Sequence, residues 1–292
     1  MEKLEMDFVQ YWHIALIEEI KEEGLMFDEN LSKDLLIIRY FSYLRKKGIR
    51  KPYNIKIAKE FNCPPELKKG LDQLIEVLKK GDDISPYLSK QVDKLNNDGM
   101  YNDWGILHLH LGDEIEANKK YIKRTGPLLF VYFLNDMAYL INVFQHKDWT
   151  KKDILQIMQN NWPELIEPFK IKGAQGLSYE VTDAQHQQLR DAGISVPVEL
   201  IDKDGTKIVI IPPGMGIMTS GDAMIDVREY QNGIKEVRKL EISVKNNIGL
   251  INDTILKQKL QVPNVLRFNL VNIDGKWKVK EVNTGLIFNL SS

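Results

Sequence analysis

Three of the five histidines in this 292-residue chain fall within one stretch: His108 and His110, two residues apart, and then His146. Residues two apart in a strand project from the same face. Gly105–Leu111 alternates Ile/His/His against Leu, as a strand with one polar and one buried face would. Arg124 lies between the histidines, and Lys147 follows the third. Such a set is open to three readings. Imidazoles with cationic neighbours meet the needs of metal-free RNA cleavage, which are a base for the ribose 2′-hydroxyl, an acid for the leaving oxygen and cations for the phosphorane. Neutral imidazoles on one face, with a third ligand such as His146, also bind a divalent metal ion. A half-exposed sheet face equally carries polar residues with no chemistry attached.

These residues are held by a small set of elements between Asp103 and Gln159. After the Gly105–Leu111 strand and a charged insert, Pro127–Leu134 (PLLFVYFL) is an apolar run of strand length. Asn135-Asp136 makes a tight turn, and Ala138–Gln145 (AYLINVFQ) makes the next strand. That strand delivers His146-Lys147 at its end. Thr150-x-x-Asp153 then opens an amphipathic helix as a capping box does. In the insert and at the helix start, Lys119, Lys120, Lys123 and Lys151, with Lys152, form a basic cluster suited to a phosphate backbone. The alternative is a set of ordinary solvated lysines.

The first hundred residues read as helices. Phe8, Trp12, Ala15, Leu16 and Ile20 recur at helical spacing up to Gly24. Ser32–Lys47 follows, with Leu35, Leu36, Ile38, Phe41 and Leu44 inward and Gly48 beyond. Short helices are expected at Ile55–Phe61, Pro64–Lys80 and Pro86–Asn96, and Asn96–Gly105 (NNDGMYNDWG) has the composition of a turn. His13, beside Trp12, is a packed or surface histidine, and Cys63 a small residue at a helix start. Past Asn161, Trp162-Pro163-Glu164 restarts a short helix to Phe169, and Lys172–Leu177 is linker-like. Thr182 or Asp183 caps a helix through Ala192. Val196–Ile201 and Lys207–Ile211 form a hairpin about Lys203-Asp204-Gly205, and Asn264–Ile273 and Lys276–Val282 another about Asp274-Gly275. Ala223–Val227 is a strand or a helix start, and Val244–Leu260 is ambiguous. Pro212–Gly221 (PPGMGIMTSG) is a long turn or a weak phosphate cradle, without the Gly-Lys-Ser/Thr of a P-loop.

The expected class is α+β: a helical N-terminal region (residues 1–98), a small central antiparallel sheet with flanking helices (99–170), and a C-terminal α+β domain (178–292). At 43% hydrophobic content the chain can bury a sizeable core. The net charge of −1 argues against a strong whole-protein grip on nucleic acid. One cysteine, Cys63, rules out an internal disulfide and an all-cysteine metal site, and a reducing compartment fits. The acidic MEKLEMDF lacks an apolar signal core, and no apolar run approaches the roughly 20 residues that span a bilayer. A cytoplasmic protein with no membrane partner is expected.

The succession of a strand opening after Trp104, Arg-x-Gly-x-Leu-Leu-Phe-x-Tyr-Phe from Arg124, Ala-Tyr-Leu-Ile-x-x-Phe-x-His-Lys from Ala138, and a helix resembles the RelE/HigB toxins. These are mRNA endonucleases of the wider barnase–EndoU–colicin–RelE fold. The resemblance covers residues 103–159. It implies a metal-independent endoribonuclease of toxin or phage-defence type, with His108, His110 and His146 as acid/base residues and Arg124 and Lys147 on the phosphate. It also implies RNA as substrate, in some members on the ribosome, an antitoxin or other regulatory protein as partner, and no cofactor. This chain carries histidines where those toxins usually carry arginine, and it is longer and nearer neutral. A second resemblance, His108-x-His110-x-x-x-Glu114 to the first metal motif of cupins, implies a metal-dependent enzyme. Its flanking glycine stands at another distance, and no Pro-x-Gly-x-x-His segment follows. A non-catalytic binding or scaffold protein is the remaining alternative.

Overall fold

The structure is a computed structural model, and it describes residues 3–116 and 120–290. In chain order the elements are β1 (Lys3–Glu5), α1 (Phe8–Glu22), α2 (Lys33–Lys47), β2 (Asn54–Ile57), α3 (Lys68–Lys80), α4 (Gly99–Trp104), β3 (Ile106–His110), β4 (Leu128–Leu134) and β5 (Met137–Phe144). There follow α5 (Lys152–Asn161), α6 (Pro163–Ile166), α7 (Asp183–Asp191), β6 (Val198–Ile201), β7 (Lys207–Ile210), α8 (Met224–Asn246), α9 (Ile248–Lys257), β8 (Val265–Ile273), β9 (Lys276–Glu281) and β10 (Ile287–Phe288). The class is α+β, as expected. No helix among the described residues is long and apolar enough to cross a membrane.

Two compact units divide the chain, one of residues 1–38 with 228–292 and one of residues 39–227. The three expected segments have other boundaries. Residues 1–98 are split between the units at Ile38, and residues 178–292 at Val227.

In the smaller unit, β1 runs parallel to β8, and β8, β9 and β10 continue as an antiparallel set with the hairpin at Asp274-Gly275. Phe8, Trp12, Leu16 and Ile20 are the buried stripe of α1, as their spacing predicts. Gly233 on α8 faces the Trp12 ring, and a Cβ there would lie 2.3 Å from it. Only glycine leaves room for that contact. The stretch from Met224, undecided in sequence, is helical through α8 and α9.

The larger unit is built on a sheet of order β2-β5-β4-β3. β3, β4 and β5 are the expected antiparallel meander, with Asn135-Asp136 as its turn. The sheet is mixed rather than antiparallel, because β2 pairs with β5 in parallel, Asn54 opposite Met137. A short helix was expected there, and the N-terminal segment is therefore not wholly helical. Trp104, Ile106, Leu128, Phe130 and Ile141 pack with Ile154, Leu155 and Met158 of α5 and with Leu200 and Ile210 of the β6–β7 hairpin. Leu107, Leu109 and Leu111 are buried on the opposite face. β3 is thus covered on both faces, which corrects the half-exposed face the alternation suggested.

Local signals account for several helix ends. Thr182 forms a full capping box with Gln185 at α7. Asp98 accepts the Tyr101 amide and starts α4, which Gly105 ends at φ +72°. The segment expected to be a turn is therefore a helix. The capping box expected at Thr150 and Asp153 does not form. Thr150 Oγ1 instead donates to the Asp183 carbonyl at 2.9 Å, and the Asp183 carboxylate accepts the Lys152 amide at 3.1 Å. Leu44, expected inward on α2, is exposed, while Lys46 is buried.

A histidine-lined cavity as the candidate active site

A cavity of about 280 Å³ opens in the larger unit, where β3, the segment after β5, the start of α4 and α7 meet. His108 reaches it from β3 and His146 from the segment after β5. Both rings pack on Trp149, His108 at 4.6 Å between centroids and His146 edge-on at 5.0 Å. Trp149 itself stacks on Phe130, the cross-strand partner of His108. Lys46, Asp98, Arg190 and Asp191 add the charged lining, and Asn96 and Asn97 add amides.

The charges in this wall are arranged in pairs. Lys46 is 4% exposed and faces Asp98 Oδ2 at 3.6 Å. Burial holds the Lys46 ammonium below its ordinary pKa. Burial presses the Asp98 carboxyl the other way, but the charges of Lys46 and His108 and the Tyr101 amide bring it below the usual carboxylate range. Nearby, Arg45 grips Asp226 with two hydrogen bonds, at 2.9 and 2.8 Å, and covers the Tyr101 ring. Burial pushes the Tyr101 phenol up to about 12.

Behind the cavity lies a second cluster. Asp103, fully buried, accepts Arg190 Nε at 3.0 Å and Ser195 Oγ at 2.7 Å, with His186 Nε2 at 3.4 Å. Arg190 Nη1 also donates to the Trp149 carbonyl at 2.7 Å, so it ties the cavity wall to this cluster. Burial raises the Asp103 carboxyl, and the bonds from His186, Arg190 and Ser195 more than offset it. His186, remote from the other histidines in sequence, therefore supports the site from behind. Pro212–Gly221 closes the same cluster. The Gly214 amide donates to the Asp103 carbonyl at 2.9 Å, and a Cβ on Gly214 would come within 2.6 Å of that oxygen.

His108 and His110 share a face of β3, as expected, but their surroundings differ. Burial lowers the His108 pKa; Asp98 opposes this, while Lys46, His146 and Arg124 reinforce it. His110 is 3% exposed and does not line the cavity. Its Nε2 accepts a hydrogen bond from Arg124 Nη1. Burial, with the charges of Arg124, His108 and His146, takes its pKa down to about 3. The structure thus gathers His108, His110, His146 and Arg124, with two of the four facing the cavity.

The remaining expected site residues lie elsewhere. Lys147 is exposed and outside the cavity lining, with φ +85°. Lys120 pairs with Asp93 at 2.9 Å and Lys151 with Asp148 at 3.0 Å, and Lys123 is exposed. None of these lysines lines the cavity. Lys119 lies outside the described residues. The site as built draws instead on Lys46, Asp98, Trp149 and Arg190, none of which was singled out in the sequence. Among the described residues no group of three or more His, Cys, Asp or Glu is placed to hold a metal ion. Comparison with protein-family models, with curated proteins and with solved structures gave no match.

Proposed function

We propose that the protein is a metal-independent endoribonuclease that works by histidine acid/base chemistry in this cavity. One arrangement carries the proposal: His108 and His146 pack on the same tryptophan and line the same cavity, with the buried Lys46 ammonium beside them. Neutral His108 takes the proton of a ribose 2′-hydroxyl. The 2′-oxygen attacks phosphorus, and His146 protonates the departing 5′-oxygen. A 2′,3′-cyclic phosphate and a free 5′-hydroxyl result. Lys46 favours the extra negative charge of the phosphorane, and Arg124, bonded to His110 outside the lining, adds positive charge at longer range.

The likeness to RelE/HigB toxins, carried by the stretch that holds β3, β4, β5 and α5, supports this reading. A cytoplasmic role of toxin or phage-defence type belongs to the same proposal, with RNA as substrate, on the ribosome or free, and a regulatory protein as partner.

The test is incubation of purified protein with a single-stranded RNA in EDTA. Wild type is expected to give cyclic-phosphate ends, and His108→Ala and His146→Ala are expected to lose about 10²-fold or more of the rate. A 2′-deoxy residue at the cut position is expected to block cleavage. RNA left intact by wild type, or cleavage equal in all three proteins, overturns the proposal. Cleavage that requires a divalent ion transfers it to metal chemistry.

A further inference from the structure

Asp98 offers one oxygen to two groups. Oδ1 accepts the Tyr101 amide at 3.1 Å and is committed to the start of α4. Oδ2 stands 3.6 Å from the Lys46 ammonium and 3.8 Å from Nδ1 of His108. Both separations exceed a hydrogen bond. Yet Lys46 is buried, and Nδ1 of His108 is a buried atom without a hydrogen-bond partner. A ring nitrogen in that position is costly unless a partner comes to it when it carries charge.

We propose that Asp98 is the positioning residue of His108, holding Nδ1 towards Oδ2 so that Nε2 faces the cavity. Oδ2 is shared, and protonation of the imidazole draws it from the Lys46 ammonium onto Nδ1–H. This rests on the ribonuclease function proposed above, in which His108 gains and loses a proton in each turnover. The helix start holds Oδ1, and Oδ2 stands nearly equidistant from the two partners, so a small shift of either partner towards it decides which one it serves. The exchange also prevents two uncompensated cations, Lys46 and imidazolium, from facing each other in a buried wall. The other charged or titratable groups about the ring are Arg124 before β4, His110 on β3, His146 after β5, and Arg190 and Asp191 across the cavity on α7. Arg190 is already neutralised by Asp103.

The experiment follows the His108 ring C–H signals by NMR through a pH titration, assigned with His108→Gln, in wild type, Asp98→Asn and Lys46→Met. Asparagine caps a helix about as well as aspartate, so Asp98→Asn removes the charge and keeps α4. The His108 pKa is expected to fall by about 1–2 units in Asp98→Asn. It is expected to rise in Lys46→Met, where the carboxylate has no competing cation. The low-pH limb of RNA cleavage is expected to move in the same two directions. A His108 titration that does not fall in Asp98→Asn, or falls in Lys46→Met, overturns the proposal even if RNA is cleaved. Titrations that move as stated while wild type leaves RNA intact uphold the Asp98–His108 coupling and remove the ribonuclease function instead.

Discussion

Arg124 donates a hydrogen bond from Nη1 to Nε2 of His110, and burial together with the charge of that guanidinium keeps the His110 ring neutral. An Nε2 that accepts leaves the single imidazole proton on Nδ1. A second proton would put charge on a buried ring directly against the Arg124 guanidinium. With its pKa near 3, His110 stays neutral in the folded protein at neutral pH. In the proposed reaction His110 is therefore not the acid or the base.

A stability effect follows with a definite sign. Native His110 refuses a proton until about pH 3, whereas unfolded His110 accepts one near pH 6.5. Below pH 6.5 the unfolded state therefore binds more protons, and His110 makes folding less favourable as pH falls. Between pH 7 and pH 5 the loss is about 2 kcal/mol. His110→Gln, whose amide oxygen can still accept from Arg124, is expected to lose correspondingly less. Urea unfolding at the two pH values measures the difference, and equal losses in both proteins would contradict it.

The Asp103–Arg190 pair lies wholly inside the larger unit, at 0% and 4% exposure. Asp103→Asn leaves a buried guanidinium uncompensated and is expected to cost about 3–5 kcal/mol. Adding Arg190→Met should return part of that loss, as a double-mutant cycle in denaturant would show. Full additivity would mean the two residues are not coupled.

Gly70 gives a case where helix propensity points the wrong way. Alanine in a helix interior is favoured over glycine by about 1 kcal/mol. On α3, however, a Cβ at Gly70 would lie 1.9 Å from the carbonyl oxygen of Leu111, which continues from β3. Gly70→Ala is therefore expected to destabilise by about 1–3 kcal/mol. A raised melting temperature would refute the close approach.

The start of α5 separates two assignments of its cap. Asp183→Ala removes the acceptor of the Lys152 amide and is expected to cost about 1 kcal/mol. Asp153→Ala, at an exposed position in the first turn, is expected to change stability by no more than about 0.5 kcal/mol. Thermal unfolding of the two variants distinguishes them, and the reverse order would restore the Thr150–Asp153 capping box.

What could be read from the sequence was local. The apolar runs of β4 and β5, the Asn-Asp and Asp-Gly turns and a helix cap at Thr182 or Asp183 each act within a few residues, and each appears in the fold, with Thr182 as the cap. Asn54–Ile57 reads equally well as a helical fragment, and only its pairing with β5 makes it a strand. NNDGMYNDWG has the composition of a turn, but Asp98 acts in it as a helix cap. The same limit applies to the site. His108 and His146 were visible as residue types near one sheet. Lys46 lies in a run, Arg45-Lys46-Lys47, that looks like an ordinary solvated helix end, and Arg190 looks like a basic residue in a last helical turn. Their burial is a property of the surfaces that cover them, which no short window contains.

The clamp of Arg190 on Asp103 also sets an order of assembly. β3, β4 and β5 join close neighbours in sequence and close short loops, so this meander is the part that can form first. The clamp must wait for α7 and for Ser195 beyond it. On a ribosome, a chain grown as far as Trp149 already carries His108 and His146. It does not yet carry the residue that seats Trp149 against Asp103. During synthesis the histidines therefore precede the finished cavity, and the stretch from Asp183 to Ser195 completes it.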